Sequence, residues 1–175
     1  MARTAETFFG ARGSPVVHVD VWMRGLQRAA ESFDMWAQAL DGSAVCGRVH
    51  LESALLHASR AFERGSNLAR TLPIEWMLCA AGARQVDVAF QRVGIRPGTD
   101  TFAIMLVAEG DLVPTEGQVT DLLTALDLER DDGVLECTEA SLRNLGVGDA
   151  EMAAMPRERW TDLALERVAM LDLER

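Results

Sequence analysis

The 175-residue sequence has no lysine: all 17 of its basic residues are arginine, and they face 27 acidic residues, for a net charge of −10. That absence excludes Schiff-base chemistry, a phosphate-loop lysine and a lysine general base. Tyrosine is also absent. Cysteine is scarce, and Cys46, Cys79 and Cys137 are odd in number, far apart and outside any metal-finger spacing. They therefore read as buried or bystander thiols in a reducing compartment rather than as catalytic groups. No apolar run approaches the ~18 residues of a membrane span, and the opening MARTAETFFGARGSP has no apolar core of the kind a leader carries. The expectation is a cytoplasmic protein without membrane association. A chain this acidic does not coat nucleic acid over its whole surface, although one local patch is compatible with it.

At 49% hydrophobic and 25% charged residues the composition is that of a globular protein, and the length suits one domain over 1–175, with 1–14 as a loose N-terminal segment. Val17, Val19 and Val21 alternate with His18, Asp20 and Trp22, a strand-like period, and Leu26, Ala29, Ala30 and Phe33 then follow helical spacing. MWAQAL at 35–40 reads as a second strand closed by Asp41-Gly42-Ser43. Leu51, Ala54, Leu55, Ala58 and Phe62 predict a helix ending at Gly65, and Pro73 and Glu75 suit the start of another that stops at Gly82. Val86, Ala89, Phe90 and Val93 predict a third before Gly94, and TFAIMLVA at 101–108 a buried central strand. Thr115 with Gln118 forms a capping-box signature, Thr138 and Asp149 are further cap candidates, and residues 160–174 read as a closing helix apolar on more than one face. The fold class expected is α+β, with a small mixed or antiparallel sheet flanked by several helices.

No catalytic template fits: GxSxG, HExxH, a Walker loop and GxGxxG are all missing. His50 and His57 lie seven apart on one predicted helix, about 10 Å along its axis, too far to share a metal ion. The expectation is no enzyme, no metal and no cofactor. The same helix carries a polar stripe. With Leu51 at 0°, His50, His57 and Arg64 project to about 260°, 240° and 220°, and Ser53 and Arg60 to about 200° and 180°. Such a stripe is either a solvated face or a set of donors suited to phosphate oxygens and base edges. Charge is uneven: residues 58–98 hold six arginines against three acids, while 108–175 hold six against 17. The basic portion thus coincides with the stripe.

The run GRVHLESALLHASRAFERGSNLARTLPIEWMLCAAGARQVDVAFQRVGI, 47–95, resembles the CGI-type, kinase-binding subunit of the KEOPS complex of archaea and eukaryotes. The residues carrying the likeness are His50, Leu51 and Ala54; Glu75; and Gly82, Arg84, Gln85, Val86, Ala89, Gly94 and Ile95. FDMWAQALDG at 33–42 and LALERVAMLDLE at 163–174 extend it. The resemblance implies a non-catalytic subunit that binds and activates the kinase-like ATPase of KEOPS directly and meets the threonylcarbamoyl transferase through that kinase. It also implies help in recruiting tRNA through its 3′ CCA end for threonylcarbamoyladenosine formation. The alternative is a purely protein-binding regulator of the kinase without RNA contact.

The candidate RNA-binding residues are His50, His57, Arg60, Arg64, Arg84 and Gln85. Arg84 and Gln85 stand at a predicted helix start, where guanidinium, amide and backbone N–H groups suit a phosphate or an unstacked base. Equally, Arg84 pairs with Glu75 or Asp87 and Gln85 caps its own helix, while His50 either meets a base or caps its helix. Glu75 reads as a favourable N-terminal charge or an arginine partner. Trp76, Met77, Trp160, Leu163 and Met170 are the candidates for the partner-binding surface, each with an ordinary core role as the other reading.

Overall fold

A computed structural model describes residues 4–109 and 113–173. The described residues form eight α-helices and one four-stranded antiparallel sheet, an α+β fold. The chain divides into two compact units, each assembled from two separated stretches: 1–42 with 95–134, and 43–94 with 135–175.

The first unit contains the whole sheet. Strands β1 (Thr4–Gly13), β2 (Met35–Asp41), β3 (Thr101–Glu109) and β4 (Leu128–Arg130) are ordered β2-β3-β1-β4. Ala37 of β2 and Thr7 of β1 both stand opposite Leu106 of β3. Phe9, Phe102, Ile104 and Leu106 from the sheet meet Leu26 and Ala30 of α1 (Val19–Glu31) and Val119, Leu122 and Leu123 of α5 (Glu116–Ala125) in one apolar cluster. Trp22 stacks on Phe102 with ring centroids 4.5 Å apart. Residues 102–108 are all buried, which is why β3 reads as an uninterrupted apolar run. The expected capping box of α5 is present, Thr115 Oγ1 accepting from the Gln118 N–H at 3.3 Å.

Two expectations fail in this unit. The N-terminal segment expected to be loose becomes β1, paired with β3 along its length and with β4 at its end. Its polar residues conceal Phe8 and Phe9, which are buried, and Gly10 admits the chain across it: a Cβ there would lie 2.3 Å from the Asp131 carbonyl oxygen. The strand expected at 17–22 is the start of α1. Valine alternation over six residues is overruled by the longer pattern, because Val19, Trp22, Met23, Leu26, Ala29 and Ala30 share one helical face toward the core.

The second unit is helical: α2 (Arg48–Arg64), α3 (Leu72–Ala81), α4 (Val86–Val93), α6 (Glu139–Asn144), α7 (Asp149–Ala154) and α8 (Trp160–Leu173). Gly65 and Gly82 end α2 and α3 in left-handed backbone, as their positions suggest. Gly82 also lets α8 approach, since an added Cβ would meet the Arg167 carbonyl oxygen at 3.0 Å. Thr138 caps α6 in a capping box with Ser141. Asp149 does not cap α7; it is the first residue of the helix, and Gly148 precedes it as the cap.

Cys46 and Cys137 form a disulfide, against the expectation of three thiols; Cys79 is free and buried. They are 91 residues apart in sequence, but the chain enters this unit twice, at 43 and at 135, and each cysteine lies just inside one entry. Linear spacing gives no sign of that proximity. The Gly47 N–H donates to the Leu135 carbonyl at 2.6 Å beside the bridge.

Candidate functional site

Every predicted site residue falls in the helical unit. The structure sorts them into residues that build this unit and residues that face outward.

His50 builds it. It is fully buried, its Nδ1 accepts the Cys46 N–H at 3.2 Å and its Nε2 donates to the Ala80 carbonyl at 2.9 Å. Burial disfavours the imidazolium and lowers the pKa to about 4, so the ring is a neutral clasp between the start of α2 and the end of α3. With both nitrogens engaged it has nothing to offer a base, and the expectation of an RNA contact at His50 is corrected. Helical projection places it at the edge of the polar stripe, and one position of rotation decides between edge and core. Glu75 is also fully buried. Its Oε2 accepts the N–H groups of Leu68 at 2.9 Å and Ala69 at 2.6 Å, so it holds the loop that leads into α3.

Trp76, Met77 and Leu163 are buried as well, and Trp76 Nε1 donates to the Leu51 carbonyl at 3.1 Å. These three are core residues and are removed from the partner-binding surface. The cause is that α3 is buried on all sides from Glu75 to Ala81, so its aromatic and methionine residues pack inside the unit.

The outward residues are arranged on three helices. On α2, His57 is half-buried, and Arg60 and Arg64 are exposed at successive turns. Arg70 is exposed in the following loop. Among the described residues none of the ion pairs involves Arg60, Arg64 or Arg70, although Arg48 pairs with Glu52 on the same helix. Two arginines four apart repel each other by a few tenths of a kcal/mol, so solvation alone gives no reason to place them together. His57 Nδ1 lies 2.5 Å from Asp172 Oδ2 of α8, which ties the outer edge of α2 to that helix.

At α4, Arg84 and Gln85 are exposed and Gln85 is the N-cap residue, but its side chain makes no capping hydrogen bond. The capping role considered for it is therefore not used. One turn further, Phe90 remains 43% exposed beside exposed Val86. Helical spacing assigned both to the buried face; in an eight-residue helix, Ala89 and Val93 suffice to anchor it. Arg92, by contrast, is structural: it donates to the carbonyls of Ala81 at 3.0 Å and Gly82 at 3.1 Å, closing the end of α3. Arg96, the last cation of the basic stretch, belongs to the sheet-bearing unit and lies 3.9 Å from Asp41.

On α8, Met170 is 43% and Leu173 79% exposed, three residues apart and hence on one face. Leu173 was not singled out by sequence because a terminal apolar residue in a periodic helix reads as core. Trp160 is half-buried under the Arg157 guanidinium, whose Cζ is 5.5 Å from the ring centroid, and its Nε1 is enclosed without a hydrogen-bond partner among the described residues.

Among the described residues no group of three His, Cys, Asp or Glu side chains could hold a metal ion, and no helix is long and apolar enough to cross a membrane. The outward groups are thus guanidinium and amide donors and one imidazole on α2 and at the start of α4, and an apolar pair on α8. No curated protein sequence matches the chain. The family model described as kinase binding protein CGI-121 matches residues 22–144, well over half of the chain. The protein belongs to the CGI-121 family of kinase-binding proteins.

Proposed function

We propose that this family member is the kinase-binding subunit of a KEOPS complex, a non-catalytic cytoplasmic protein that activates the kinase-like ATPase and helps recruit tRNA through its 3′ CCA end. The threonylcarbamoyl transferase is then reached through the kinase. The observation that supports the RNA contact is the set Arg60, Arg64 and Arg70, exposed and outside any ion pair among the described residues, in a protein whose net charge is −10. Unpaired cations in so acidic a chain suit phosphate, and exposed Phe90, one turn into the helix that Arg84 and Gln85 precede, suits an unstacked base. The apolar face of α8 at Met170 and Leu173 supplies a kinase contact of the kind that needs packing rather than charge.

Affinity for tRNA with and without its CCA end, in wild type and in an Arg60→Glu, Arg64→Glu variant, tests the RNA contact. Wild type is expected to prefer the intact end, and the variant to lose at least tenfold. Equal weak binding in all four combinations would leave the alternative, a purely protein-binding regulator. Met170→Glu with Leu173→Glu is expected to weaken kinase binding at least tenfold and to leave tRNA affinity unchanged.

A further inference from the structure

We propose that Asp172 holds His57 in the tautomer that presents an acceptor nitrogen, and that His57, Arg60 and Arg64 together read the 4-amino group of cytosine or the 6-amino group of adenine in single-stranded RNA. This rests on the RNA contact proposed above and deepens it by assigning a chemical selectivity to one edge.

The geometry begins at the 2.5 Å contact between His57 Nδ1 and Asp172 Oδ2. An ionised carboxylate only accepts, so the proton in that bond belongs to Nδ1. A neutral imidazole protonated on Nδ1 carries its lone pair on Nε2. Among the described residues Nε2 takes part in no hydrogen bond, and the side chain keeps 19% of its surface exposed. Arg60 and Arg64 follow three and seven residues later, on the same face of α2 and within about 10 Å along the axis.

These three side chains offer complementary chemistry. Guanidinium groups only donate, which suits phosphate oxygens. An acceptor nitrogen has no use for a phosphate, and the carboxylate behind it repels one. What it attracts is a donor. On the Watson–Crick edge of an unpaired base, cytosine at C4 and adenine at C6 carry an amino group where uracil and guanine carry a carbonyl oxygen, and guanine has its own amino group at C2 instead. The arginines therefore bind the strand whatever its sequence, and at one position His57 separates cytosine from uracil, or adenine from guanine. Asp172 acts through His57 and is a positioning residue. Asp172→Asn keeps its shape but can donate to Nδ1, which moves the ring proton to Nε2 and turns the acceptor into a donor.

The experiment uses the full chain at pH 8 and 5′-labelled single-stranded RNAs ending in CCA, with each of the last three bases replaced in turn by uracil or guanine. Anisotropy gives the affinities, and ¹⁵N spectra of the His57 ring give its tautomer. Wild type is expected to lose about tenfold for replacement at one position, the discrimination typical of one good base contact. Asp172→Asn should lose or reverse that preference and shift the ring proton to Nε2, with kinase affinity unchanged. Where Asp172→Asn lowers stability, His57→Phe carries the same test, because it keeps a ring and removes the acceptor. Arg60→Gln with Arg64→Gln should weaken all of the RNAs alike and keep the preference. Arginine-dependent binding with no base preference, a preference that survives both Asp172→Asn and His57→Phe, or a doubly protonated ring in the complex overturns the inference while the RNA contact stands. Equal weak binding of every RNA by wild type and arginine variant overturns the RNA contact itself. A loss of kinase affinity alone in the His57 and Asp172 variants overturns the inference in favour of a protein contact.

Discussion

The two units are similar in length but unequal in charge. The sheet-bearing unit holds six arginines against 14 acids, a balance of −8, and the helical unit eleven against 13, or −2. The difference is also one of use. In the sheet-bearing unit Arg12, Arg24, Arg96 and Arg130 face carboxylates and Arg28 is exposed outside the ion pairs of the described residues, whereas the helical unit pairs Arg48, Arg143, Arg159 and Arg167, leaves Arg60, Arg64 and Arg70 outside those ion pairs and places Arg92 on carbonyls. A whole-chain charge averages over this contrast. Every candidate contact lies in the less acidic unit, and the other carries the sheet and most of the repelling charge.

The comparison can be broken most severely at the disulfide, because only the helical unit has one among the described residues. A bridge closing a 91-residue separation restricts the unfolded chain by an amount equivalent to about 4–5 kcal/mol in the chain-entropy model. Cys46→Ser, or reduction, is expected to raise amide exchange across 43–94 and 135–173 and to leave β1 and β3 protected longer. Equal loss of protection in both units would show that they do not differ in this respect.

Acid should separate them next. His50 has a folded pKa near 4 against an ordinary 6.5, so the unfolded chain binds the extra proton first. Its stabilising contribution is complete above about pH 6.5 and is lost as the pH falls toward 4, amounting to about 3 kcal/mol at the limit. His18, in the other unit, is exposed. Denaturation midpoints between pH 7 and 4 are expected to fall more steeply for wild type than for His50→Gln, whose lower starting stability should change less. Parallel pH curves would refute the role given to His50.

A middle-sized effect lies in salt and RNA together. If Arg60 and Arg64 each neutralise a phosphate of a single strand, replacing both with glutamine should reduce the slope of log affinity against log salt by about 1.4. The smallest expected effect is on stability in salt: screening relieves self-repulsion in a chain of −10, so the melting temperature of the isolated protein should rise by a few degrees between low and moderate ionic strength. A melting temperature independent of salt would mean that the paired arginines already balance the acids around them.

Periodicity was a good guide wherever it ran long enough. The helix at 48–64 with its glycine stop, the buried strand at 101–108 and the Thr115 capping box are local patterns, and each is found as expected. What escaped was set by partners far along the chain. Neither β1 nor the three-residue β4 carries its own signal, because each is a strand only through its neighbour in the sheet. The site divides in the same way. Arg60 and Arg64 are exposed at the predicted positions, whereas His50, Trp76 and Met77 are claimed by packing across helices, and Phe90 and Leu173 emerge because short or terminal helices do not bury every apolar residue. The Asp172 partner of His57, 115 residues away, has no linear signature at all.

The double entry of the chain into each unit also bears on synthesis. A ribosome releases α2, α3 and α4 before any residue of 135–175 exists, and α3, buried from Glu75 to Ala81, waits for α8. The sheet waits too, since β1 gains its partner only when 101–109 emerges. Neither unit can close early, so a long nascent chain leaves the ribosome with its most apolar helix uncovered. Chaperone contact during translation should therefore concentrate on 72–81 and end when α8 is released.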